Sequence, residues 1–81
     1  MKTYPVYRVE WVDTMAWVGW RPDDDDFDLI PIHSVGYLIE RHRDRIVLAQ
    51  AIDAGDGTGM PFAGITSIPR KTITKMERLS D

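Results

Sequence analysis

The chain has no cysteine and no asparagine among its 81 residues, and only two histidines. Without thiols there is no disulfide framework, no thiolate metal site and no cysteine nucleophile. Long apolar runs are also missing. The opening MKTYPVYRVEW lacks the apolar stretch of a signal peptide, and no segment reaches the roughly 20 apolar residues that a membrane helix needs. The expectation is a cytoplasmic protein with no membrane contact.

What is present suffices for one small domain over residues 1–81. Hydrophobic residues make up 43% of the chain and aromatics 10%, enough for a core and too much for disorder throughout. A chain this short buries only about 60% of its unfolded surface, so association with further copies would add stability. The net charge of −3 is unevenly placed. Residues 10–28 hold seven acids against Arg21 alone, which leaves that segment at −6 and the remainder at +3. Such polarity suits head-to-tail contact between copies or a basic partner at one end.

Hydrophobic alternation organises most of the chain into strands. In VYRVEWV (6–12), Tyr7, Val9 and Trp11 share one face while Val6, Arg8, Glu10 and Val12 share the other. Residues 13–31 have no clean period and read as a long acidic loop, with one helical turn near Thr14 to Trp17. IHSVGYLIER (32–41) and IVLAQAI (46–52), joined by HRDR, read as a hairpin. Gly36 inside that first strand predicts strong bending or close backbone approach. DAGDGTG (53–59) is a turn, and MPFAGITSI (60–68), with Pro61 and Gly64, suits a kinked edge strand. In the tail, Ile73, Met76 and Leu79 fit a helical face, but Thr72, Ile73 and Thr74 favour a strand. The reading adopted is a short 3₁₀ turn at 69–72 and then a last strand. The fold class is therefore all-β: a small, strongly bent antiparallel barrel of about five strands.

Two segments carry a resemblance. VGYLIERHRDRIVLA (35–49) has a strand glycine, Gly36, then Leu38, an acid in the turn, Asp44, and the apolar run Ile46, Val47, Leu48. IPRKTITKM (68–76) has a short turn flanked by Ile68, Ile73 and Met76. Both are similar to the Sm-like small-barrel family, and SH3-like barrels share the second pattern. The resemblance implies a small barrel able to form rings through its edge strands. It also implies that the 42–45 turn and the 69–72 turn approach each other. The chain departs from that family where Arg45 follows Asp44 in place of a base-reading asparagine, and where Pro69-Arg70 replaces Arg-Gly. The overall pattern further resembles small uncharacterised proteins of bacteriophages and prophages. That would imply an accessory or host-takeover role in the host cytoplasm rather than a metabolic one.

The candidate binding residues fall in two groups. Arg41, His42, Arg43 and Arg45 lie in or beside one turn, and Arg70 and Lys71 lie in another. If the turns meet, as the resemblance implies, these cations form an anion site, since arginine pairs bidentately with phosphate. A nucleotide, a signalling nucleotide or an RNA backbone is the expected ligand. The second group is Trp17, Trp20, Asp23, Asp24, Asp25, Asp26 and Phe27, where aromatic anchors beside dense negative charge suit docking on a basic host protein.

Other chemistry finds little support. An EF-hand loop started at Asp24 would put Leu29 where glycine is needed and Val35 where glutamate is needed. His33 and His42 lack zinc-ligand spacing, and Ser34, Ser67 and Ser80 lack a nucleophile elbow. Gly55, Gly57 and Gly59 precede no evident helix, so they make no phosphate loop. The expectation is a non-enzymatic binding protein without cofactor, acting as a homo-oligomer.

Overall fold

The computed structural model describes residues 3–13, 19–24, 29–53, 55 and 59–80. Five strands form: β1 (Val6–Asp13), β2 (Ile30–Arg41), β3 (Arg45–Ile52), β4 (Phe62–Pro69) and β5 (Ile73–Ser80). One 3₁₀ turn, Arg70–Thr72, joins β4 to β5. All pairings are antiparallel, in the order β4-β3-β2-β1-β5. The all-β expectation holds, and the tail is a strand. The sheet is open, however. β4 and β5 are its two edges, and no ladder joins them.

The strands also take residues at both ends of the expected 13–31 loop. Asp13 pairs with Ile30 and Val12 with Pro31, so the connection runs from residue 14 to residue 29. Pro31 has no N–H to donate, yet it sits in β2 without loss because the β3 ladder does not begin until Tyr37. The expected helical turn near Thr14 to Trp17 lies outside the described residues.

β2 changes neighbour halfway along its length. Ile30 to Tyr37 run along β1, and Tyr37 to Arg41 run along β3. Gly36 stands at this change. A Cβ there would lie 2.9 Å from the Ala49 carbonyl oxygen and 3.3 Å from Leu48 Cβ. The backbones cross too closely for any side chain, which is the approach the strand glycine predicts.

The core forms on the inner face. Val9, Leu38, Ile46, Leu48 and Ile68 are buried, with Tyr7, Trp11, Ile73 and Met76 packed against them. Each fully buried aliphatic side chain contributes about 1.5–3 kcal/mol. On the edge strands, Ile65 of β4 stays 56% exposed and Leu79 of β5 48% exposed. Before β1, Tyr4 meets Phe62 of β4 edge to face at 5.6 Å, and Leu38 N–H donates to the Pro5 carbonyl at 2.9 Å.

Gly36→Ala is expected to cost about 1–3 kcal/mol through overpacking. Ile46→Ala, at a site with 0% exposure, is expected to cost about 2–5 kcal/mol. Urea denaturation checks both. A Gly36→Ala variant as stable as the parent would contradict the close crossing.

Candidate functional site

The basic turns do meet. The β2–β3 connection is short, closed by His42 N–H donating to the Arg45 carbonyl at 2.8 Å. Arg70 then grips it twice. Its backbone N–H donates to the Asp44 carbonyl at 2.9 Å, and its Nε donates to the His42 carbonyl at 2.7 Å. The 3₁₀ turn holds Arg70 in position. Pro69 leads into it in extended conformation, Thr72 Oγ1 donates back to the Pro69 carbonyl at 2.7 Å, and Ile73 N–H donates to the Arg70 carbonyl. Of the two turn carbonyls that would otherwise need water, that of His42 is satisfied by the guanidinium and that of Asp44 by a peptide N–H.

The six predicted residues play different parts. Arg41 does not join the turn; its guanidinium lies over the Tyr7 ring, 5.9 Å from the centroid. His42 pairs with Glu40 through Nε2 and Oε1 at 2.5 Å. Arg45 pairs with Asp44 at 2.9 Å. Arg70 is the half-buried anchor. Arg43 and Lys71 are exposed and without a partner among the described residues. The turns thus come together, but two cations, rather than five and a histidine, are left with no competing group.

Glu40 carries the one electrostatic consequence that stands out. Its carboxyl is held below the usual glutamate range, chiefly by the hydrogen bond from His42 and then by the nearby charges of His42 and Arg45. A depressed carboxyl stabilises the fold above its unfolded pKa, and this contribution is lost as pH falls through the folded value. At this exposed site the effect on stability is small.

The second predicted group is only partly within the described residues. Trp17, Asp25, Asp26 and Phe27 lie outside them. Trp20 is completely exposed, with a relative exposure of 103%, and Asp23 and Asp24 are exposed in a turn. Among the described residues no three potential metal ligands come together, and no helix is long and apolar enough to cross a membrane.

Sequence reasoning missed a polar cluster across β1 and β2. Arg8 Nη2 lies 3.1 Å from His33 Nδ1, and His33 Nε2 lies 3.4 Å from Glu10 Oε1. The pairing of Glu10 with His33 and of Arg8 with Val35 puts them on the outer face. Trp11 Nε1 donates to Ser34 Oγ at 3.0 Å on the inner face. The β1 alternation had placed Arg8 and Glu10 together, but the register that brings His33 beside them is set by pairing with a distant strand.

No family model, no curated protein and no solved structure matches the chain.

Replacing His42 with alanine is expected to move the Glu40 titration up toward the ordinary glutamate value. Side-chain carboxyl NMR across acid pH reads this directly, and an unchanged Glu40 would remove His42 as the cause.

Proposed function

We propose that the chain is a non-enzymatic binding protein that takes a phosphate-bearing anion at the two joined turns. The observation that carries this is the double grip of Arg70 on the 42–44 turn. It fixes Arg43 and Lys71 on one rigid end while leaving both without a partner among the described residues. Arg45 can turn from Asp44 to a stronger anion at little cost, because an exposed ion pair is worth at most about 1 kcal/mol. A nucleotide, a signalling nucleotide or an RNA backbone fits this chemistry. The resemblance to bacteriophage proteins favours a role in withholding a host ligand.

Self-association belongs to the same reading. β4 and β5 are eight residues each, both carry one unpaired edge, and each exposes a large aliphatic residue. Edge on edge, they satisfy both rows of backbone groups in a head-to-tail contact, which closes as a ring when the rotation allows. One basic turn per copy then gathers into a concentrated anion site.

A second reading rests on Trp20, whose full exposure beside Asp23 and Asp24 suits docking on a basic protein surface.

The double variant Arg43→Glu, Lys71→Glu is expected to weaken binding of inorganic triphosphate or a short single-stranded RNA by about tenfold or more at low salt. Calorimetry and fluorescence anisotropy measure it, and undiminished affinity would overturn the assignment. Native mass spectrometry is expected to show an oligomer that Ile65→Lys, a charge on the β4 edge, shifts toward monomer. A parent protein that is monomeric at micromolar concentration would remove the self-association.

A further inference from the structure

The inner face of β2, β3 and β4 changes character along its length. Toward the basic turn its inward positions are Leu38, Ile46, Leu48 and Ile68, all buried. In the period of a strand, the same face continues with Gln50 and Thr66 two residues on and with Ser34 and Gly64 four residues on. Here the strands also part. The β2–β3 ladder ends at the Tyr37–Ala49 pair, while β3 continues beside β4 alone as far as Ile52. The ladders therefore set no strand against the β3-side edge of Ser34 and Val35. A cavity of about 220 Å³ lies in this fork, lined from β2 by His33, Ser34 and Val35 and from β3 and β4 by residues that include Gln50, Gly64 and Thr66.

The wall is built for a carboxamide. Gly64 has φ +66°, and a Cβ on it would lie 2.6 Å from Gln50 Oε1 and 2.8 Å from Gln50 Cβ. The bare backbone at Gly64 is what allows the Gln50 side chain to lie across β4. Neither the Gln50 amide nor the Thr66 hydroxyl has a partner among the described residues. Ser34 Oγ accepts the Trp11 indole N–H and so keeps its own O–H to donate.

We propose that this fork binds an uncharged, planar heterocycle of the nucleobase kind. No carboxylate, lysine or arginine lines the cavity, and its one ionisable wall residue, His33, already has both ring nitrogens beside Arg8 and Glu10, so the groups left facing it are neutral donors and acceptors. Gln50 offers one donor and one acceptor in a single plane, which matches the adjacent N–H and C=O, or N–H and N, of a lactam or amidine edge. An unpaired strand edge offers the same alternation. Val35 and Leu48 supply apolar surface for the ring faces, and the Ser34 and Thr66 hydroxyls reach the remaining polar atoms.

The test uses the full-length ¹⁵N-labelled protein titrated with uridine, cytidine, adenosine and inosine. These probes carry no phosphate, so the outcome is separate from that of the basic-turn reading. At least one nucleoside is expected to give saturable shifts centred on residues 33–35, 48–50 and 64–66. Gln50→Ala and Thr66→Val, both at exposed positions, are each expected to weaken it about fivefold while leaving the spectrum dispersed. The variant Arg43→Glu, Lys71→Glu is expected to bind as the parent does. Absence of localised shifts with every nucleoside would overturn the proposal. So would unchanged affinity in the Gln50→Ala, Thr66→Val double variant, or loss of binding in the basic-turn variant.

Discussion

The structure depends on the crossing of β2 and β3 at Gly36. There the chain brings a bare Cα against the Ala49 carbonyl, and β2 passes from one neighbour to the other. Because β2 serves β1 with its first part and β3 with its second, a single strand curls five strands around one small core. The buried set of Val9, Leu38, Ile46, Leu48 and Ile68 draws on β1, β2, β3 and β4, which only such a bend allows in so short a chain. The same bend opens the fork on the inner face and carries the 42–44 turn toward Arg70.

The two ends of the inner face divide the chemistry between them. At the turn end, the fold is tied together by charge on carbonyl, with Arg70 holding the two connections as one unit. At the fork end no carboxylate, lysine or arginine lines the wall, and neutral donors and acceptors remain beside His33. The aliphatic rows between them keep these environments apart. The ionisable group that reaches the fork is His33, whose ring nitrogens lie beside Arg8 and Glu10.

Much of the architecture was legible in the residues. Alternation in 6–12 set Tyr7, Val9 and Trp11 on one face, and these are the β1 side chains in and against the core. Gly36 announced close approach, Gly64 announced a kink, and Thr72 to Thr74 argued for a final strand. What stayed hidden was set by contacts far apart in the chain. Arg41 and Arg43 look alike in HRDR and its flank, yet one lies over Tyr7 and the other faces solvent, because strand and turn positions present their side chains differently. The sheet stays open because the 3₁₀ turn delivers β5 to β1 without a second ladder to β4. The fork was invisible as well. A glutamine and a threonine in strands carry no chemical signature until pairing sets them either side of a gap.

The β1–β5 ladder has a consequence for how the chain reaches this state. Val6 lies beside Ser80 and Val9 beside Met76, so the first strand gains its second neighbour from the last. Such pairings have a high contact order, and their loop-closure entropy must be met before they return any free energy. During synthesis β2, β3 and β4 can assemble as a meander while one side of β1 waits for residues 73–80 to be made. For that interval the β1 backbone is an additional open edge, which β5 covers when it arrives.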